Sequence, residues 1–104
     1  MNNYSIKFTG LANRDLEDIF SYISNELDSR NVAIKLLNKI ESKIDSLKDF
    51  PYSCPTVTNS LLQNYEYRKL IVDNYIIFYI IDEEKKNIII MRCLYGARNL
   101  NELL

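Results

Sequence analysis

The chain has 104 residues, of which 47% are hydrophobic and 26% charged, with two glycines, two prolines and no histidine. That length and balance predict one domain over residues 1–104, a chain that buries only about two thirds of its unfolded surface and has little room for a large internal cofactor cavity. Thirteen Lys and Arg against fourteen Asp and Glu leave a net charge of -1 and a pI near 5.4, which excludes the broad basic footprint of a typical nucleic-acid binder.

At the start, YSIKF (residues 4–8) alternates Tyr4, Ile6 and Phe8 against Ser5 and Lys7, the period of a half-buried strand. Thr9 can cap a helix whose apolar positions are Ala12, Leu16, Ile19, Phe20, Ile23 and Leu27, a stripe at spacings of three and four. Arg14, Asp15, Glu17 and Asp18 then take its wet side. After a break at Asp28 and Ser29, a second stripe runs through Ala33, Leu36, Leu37, Ile40, Ile44 and Leu47, and Pro51 stops it at Phe50. So short a link predicts an antiparallel helical hairpin.

Residues 51–64 read as a loop. Three strands follow, 65–72, 75–81 and 88–95, separated by an Asp73-Asn74 turn and the charged DEEKKN turn. The order β-α-α-β-β-β predicts an α+β fold of two layers, an antiparallel meander sheet packed on a helical hairpin. Residues Tyr75 to Ile81 are apolar or aromatic on both faces, yet helices cover only one face of two layers. The second face needs a cover, either the C-terminal Leu100, Leu103 and Leu104 or another polypeptide.

Much chemistry is excluded. Without histidine, catalytic triads and most zinc sites are out of reach. Neither a P-loop nor a GxGxxG is present, so no nucleotide cofactor is expected, and no metal. Cys54 and Cys93 form no CxxC or ligand cluster and read as small apolar residues in a reducing compartment. No apolar run reaches membrane length, and the polar MNNYSIKF start lacks the regions of a signal peptide, so the expected location is cytoplasmic, with no membrane partner.

What remains is arginine and tyrosine at the end of the sheet. Arg92 and Leu94 share one face of the last strand, Cys93 and Tyr95 the other, and Gly96 permits a turn that presents Arg98. Arg68 comes near if the meander pairs in order. A patch of Arg68, Arg92, Tyr95 and Arg98 suits an anionic polymer or an acidic peptide. The alternative is structural, with Arg92 pairing to a carboxylate and Arg98 capping carbonyls.

Four stretches in order carry a resemblance: YSIKFTGLANRDLEDIFSYI, AIKLLNKIESKIDSLKDFP with its L-x-x-F-P close, YRKLIVDNYIIFYIID, and IIIMRCLYGARNL. Over nearly the whole chain they resemble the RelE/ParE superfamily of toxins from type II toxin-antitoxin modules. The last is similar to the R-V-L-H-x-x-R-D ending of ParE-like members, with Tyr95 where histidine is common and Asn99 where aspartate is common. Tyr95 keeps a planar ring and a hydrogen-bonding group but carries no positive charge near neutral pH. The resemblance implies a growth inhibitor silenced by a cognate antitoxin whose C-terminal segment covers the open face of strand 75–81, at Tyr75, Ile77, Tyr79, Ile81 and Leu100.

Two mechanisms follow from it. ParE-like members poison DNA gyrase with no known chemical step of their own. RelE-like members cut mRNA on the ribosome, and their pattern fits less well, because the position of one catalytic arginine is Ile76, the C-terminal tyrosine position falls near Leu104, and only Arg98 matches. The ParE-like branch is therefore expected, with a ribosome-dependent endoribonuclease as the enzymatic alternative and an inactive antitoxin-binding relative as the third. Homodimer and heterotetramer with the antitoxin are the candidate assemblies.

Overall fold

The computed structural model describes residues 4–57 and 65–96. In chain order these form β1 (Ser5–Phe8), α1 (Gly10–Ser21), a π-helical turn (Tyr22–Glu26), α2 (Arg30–Asp45), a 3-10 turn (Ser46–Lys48), β2 (Arg68–Val72), β3 (Tyr75–Asp82) and β4 (Asn87–Tyr95). The expected element order and the α+β class hold. The first helix loosens into the π-helical turn before Leu27, and the second tightens into a 3-10 turn before Phe50. β2 begins at Arg68 rather than at residue 65.

The sheet runs β1-β4-β3-β2. β2, β3 and β4 make the expected antiparallel meander, and β1 adds to β4 in parallel, with Ile6 beside Ile88 and Phe8 beside Ile90. Thr9 makes this junction. Its hydroxyl accepts the Ala12 N–H at 3.0 Å as the helix cap and donates to the Met91 carbonyl at 2.9 Å, while its own N–H reaches the Ile90 carbonyl at 3.1 Å. One residue thus ends the strand, starts the helix and ties both to β4.

The core lies between the hairpin and one sheet face. Ala12, Ile19 and Ile23 from the first helical segment and Ala33, Ile40, Ile44 and Leu47 from the second meet Val72, Ile77, Tyr79, Ile88, Ile90 and Cys93. Ala12 and Ala33 have no exposed surface, since a methyl group lets each helix approach closely. The strand pairing steps between Phe78 and Tyr79: Phe78 faces Arg92 while Tyr79 faces Ile90, leaving Met91 as the extra residue of a bulge. The bulge shifts the alternation, so Ile88, Ile90, Cys93 and Tyr95 share the helix side despite their mixed parity.

The register bears on the residues expected to meet an antitoxin: Ile77 and Tyr79 are fully buried in the core, while Tyr75 and Ile81 are partly buried and pack against the same cluster. The Tyr79 hydroxyl donates to the Pro51 carbonyl at 2.9 Å, and burial raises its pKa and keeps it protonated. β3 is apolar on both faces, as its sequence says, and the face away from the helices belongs to Ile76, Phe78 and Ile80, with Ile71 and Leu94 beside Ile76. Ile71 is 59% exposed there, whereas Phe78 and Leu94 are buried, with Val57 alongside. Leu100, Leu103 and Leu104 lie outside the described residues.

Across the sheet, residues 54–57 run against the start of β2 through the Val57 N–H to the Tyr67 carbonyl and the Lys69 N–H to the Pro55 carbonyl. The 51–54 segment is pinned further at Glu83, whose carboxylate accepts from the Tyr4 hydroxyl at 2.8 and 2.9 Å and from Tyr52 and Lys86. The Lys86 ammonium first, then the Tyr52 and Tyr4 hydroxyls, lower the Glu83 pKa to about 2.

Two outcomes follow from this packing. Tyr79→Phe orphans the Pro51 carbonyl and should cost about 1–3 kcal/mol in urea unfolding, whereas Tyr79→Asp buries an unpaired charge and should abolish the folded state; a stable Tyr79→Asp protein would overturn this placement of β3. Because the folded pKa of Glu83 lies below the ordinary 4.5, its contribution is present above about pH 4.5 and is lost as pH falls toward about 2. In an NMR titration the Glu83 carboxyl should therefore titrate well below the ordinary glutamate value of 4.5.

Candidate functional site

At the far end of β4 a strand edge runs out of partners. β1 covers β4 only from Asn87 to Ile90, so the backbone groups beyond need other partners. Thr9 meets the Met91 carbonyl, and Asp15, nearly two turns further along α1, meets the next donor: its Oδ2 accepts the Cys93 N–H at 3.0 Å. The same carboxylate takes the Arg92 guanidinium through two bonds, Nε to Oδ2 at 2.7 Å and Nη2 to Oδ1 at 3.0 Å. Only 11% of the Asp15 side chain and 18% of the Arg92 side chain are exposed. Bidentate geometry and burial make this a strong pair, costly to break from one side.

Asp15 therefore does not sit on the wet side of the helix, where its sequence neighbours suggested. It falls between Ala12 and Ile19 on the stripe that meets the sheet, and a carboxylate on an apolar stripe was the available clue. Cys93 beside it is buried, and desolvation, then the Asp15 charge, push its thiol up to about 12, so it stays an unreactive thiol at neutral pH. Neither Cys54 nor Cys93 is in a disulfide.

Of the four residues expected to form one patch, Arg68 and Arg92 are kept apart. Arg92 is committed to Asp15, the structural alternative its sequence allowed. Arg68 lies on β2 in register with Tyr79, whereas Arg92 pairs with Phe78, so the two start from opposite faces with β3 between them. The Arg68 guanidinium donates to the Cys54 carbonyl at 2.7 Å and to Glu66 at 3.1 Å, and stacks 4.9 Å from the centre of the Tyr52 ring. It holds the 51–54 segment. Arg98 lies outside the described residues.

Tyr95 ends β4, 49% exposed, its ring edge-on to Tyr75 with centroids 5.7 Å apart. Gly96 follows with its N–H on the Asn74 carbonyl at 2.7 Å. A Cβ there would lie 3.1 Å from that same oxygen. The glycine serves this close approach, and its φ is not in the left-handed region.

Tyr95 and Tyr75 also form one wall of an open groove of about 800 Å³ that the sequence did not reveal. Its other wall is the end of α1 and the π-helical turn, with Asp18, Ile19, Tyr22, Ile23 and Leu27, and Val32 of α2 closes the far side. The extra backbone residue of a π turn re-aims the side chains around it, and Tyr22 and Leu27 stand 56% and 57% exposed. Burial, followed by the nearby Tyr95 and Tyr22 hydroxyls, raises the Tyr75 pKa, so its ring presents a neutral phenol. Among the described residues no group of three or more His, Cys, Asp or Glu is placed to hold a metal ion, and no helix is long and apolar enough to cross a membrane.

Comparison with solved structures finds the same fold in the chromosomal ParDE toxin-antitoxin system from P. aeruginosa, with a TM-score of 0.71 at 19% identity over 88% of this chain and 95% of that one. The RelBE2 toxin-antitoxin complex from Mycobacterium tuberculosis is similar with a TM-score of 0.61, also at 19% identity, over 88% and 96% of the two chains. No curated protein sequence matches this chain. The family model described as the ParE toxin of the type II toxin-antitoxin system parDE matches residues 6–100, from the first strand through the closing Arg-x-x-Tyr-x-x-Arg motif. With that match running over nearly the whole chain, this chain belongs to the ParE toxin family of type II toxin-antitoxin systems.

Proposed function

We propose that this protein arrests growth by poisoning DNA gyrase, in the cytoplasm and as a single toxin domain over residues 1–104, until a cognate antitoxin silences it. The family match over residues 6–100 carries this reading. Within the closing motif the work divides. Arg92 holds the scaffold through Asp15, Tyr95 stands half exposed at the end of β4, and Arg98 is the cation we assign to the target.

Cleavage of mRNA on the ribosome is supported less. That chemistry sets cations and a proton-transferring group around a phosphate, and the chain has no histidine and an acidic pI. Both sheet arginines are bound locally, Arg68 to Cys54 and Glu66 and Arg92 to Asp15. A poison that acts by lodging against another protein has no need of a proton shuttle or a metal.

The test combines purified gyrase, supercoiled plasmid and ATP with and without the folded protein. Linear plasmid should accumulate only with it. Absence of linear DNA, together with cleavage of mRNA on added ribosomes, would replace this reading by the endoribonuclease one. Arg98→Ala should relieve growth arrest at least about tenfold in surviving colonies with an unchanged unfolding midpoint, whereas Arg92→Ala should lose activity by losing stability, about 3 kcal/mol for one side of a buried pair.

A further inference from the structure

The outer side of α2 carries a row of cations. Lys35, Lys39 and Lys43 recur at every fourth residue of the helix, and all three are exposed. At 3.6 residues per turn and 1.5 Å per residue they form one gently inclined row, each about 6 Å along the axis from the next. Asn38 and Ser42, also exposed, stand beside them on the same side. Two carboxylates of the helix are turned away or held: Glu41 lines the cleft between the helices with Asn13 and Leu16, and Asp45 pairs with Lys48 at 2.9 Å. The ammonium of Lys39 marks the opposite flank, where it meets Asp73 of the β2–β3 turn at 2.6 Å.

A row of ammonium groups at this interval matches a polyanion that repeats its charge regularly. Neighbouring phosphates on one strand of B-DNA rise about 3.4 Å along the axis and lie about 6–7 Å apart through space. Lysine, asparagine and serine side chains are among those that contact them. We propose that the outer ridge of α2, Lys35, Lys39 and Lys43 with Asn38 and Ser42, grips successive phosphates on the backbone of duplex DNA. The Lys39–Asp73 pair is exposed on both sides, 51% and 47%, and a pair so solvated is weak enough to be exchanged for a phosphate. A chain of net charge -1 is not drawn to DNA from a distance, so the ridge serves a protein already delivered there. Its role rests on the gyrase reading above: gyrase brings the toxin to the DNA it holds, and the ridge seats it on that duplex. The phosphate grip itself does not rest on that reading.

The probe is a fluorescently labelled 20-base-pair duplex of mixed sequence, titrated with the folded full chain in the absence of gyrase from about 20 to 150 mM salt. Binding should be measurable at the lowest salt, with a Kd of about 10–100 µM, and log K should fall against log salt with a slope of about -2 to -3. Lys35→Gln and Lys43→Gln should each flatten that slope by about 0.9. Lys85→Gln, the same loss of charge in the exposed β3–β4 turn, should leave it unchanged. Asp73→Asn removes the competitor for Lys39 and should tighten binding about threefold; asparagine suits the left-handed backbone there, φ 53°, so the turn survives. Four results would each overturn the proposal: no binding at the lowest salt, a slope insensitive to Lys35 and Lys43, an equal response to Lys85→Gln, or tighter binding of a polyglutamate peptide with the same lysine dependence. Linear plasmid in the gyrase assay is scored separately. Gyrase poisoning without duplex binding sinks the ridge and leaves the toxin reading standing; ridge-dependent duplex binding without linear plasmid supports the ridge and removes the gyrase reading.

Discussion

A nine-residue strand with a four-residue neighbour leaves half of one edge bare, and the fold turns on how that edge is closed. β1 stops at Phe8 and β4 continues to Tyr95, so the free backbone groups of β4 are met by α1 itself, through the Thr9 hydroxyl and the Asp15 carboxylate. Unsatisfied strand edges cost free energy and invite foreign strands. Here the helix that leaves β1 lies back along the edge that β1 abandons. Arg92 completes the arrangement by neutralising the carboxylate, which would otherwise be a charge only 11% exposed. The same contact fixes α1 against β4 and so sets the width of the tyrosine-lined groove and the position of Tyr95.

This division of labour changes how the closing motif is understood. A motif arginine invites a reading as a ligand for the target, but this guanidinium is held by two bonds to a nearly buried carboxylate and is tied to the scaffold. Of the motif's described residues it is Tyr95 that stands half exposed.

Most of the architecture was legible in the sequence because it is written in periodicity: stripes at three and four for two helices, three apolar runs divided by turn residues for the meander, a threonine at the first cap. The face of β3 was not legible. Tyr75 to Ile81 is apolar throughout, so only the register against β2 and β4, set in part by the bulge at Met91, decides that Tyr79 enters the core and Ile76 does not. The parallel pairing of β1 was equally hidden, since a four-residue strand does not encode its neighbour. Asp15 was misassigned because it stands among charged residues, although its spacing from Ala12 and Ile19 placed it on the buried stripe. The groove depends on a π-helical turn, which no local propensity announces.

The most direct test of this account is a double-mutant cycle on Asp15 and Arg92, with unfolding free energies measured for Asp15→Ala, Arg92→Ala and the pair together. If the carboxylate and the guanidinium form one scaffold, each single change is costly and the second adds little, giving a coupling of about 1–3 kcal/mol. Losses that add to within about 0.3 kcal/mol would mean that the two side chains act independently, and the role of Arg92 would then have to be sought at the surface of a partner.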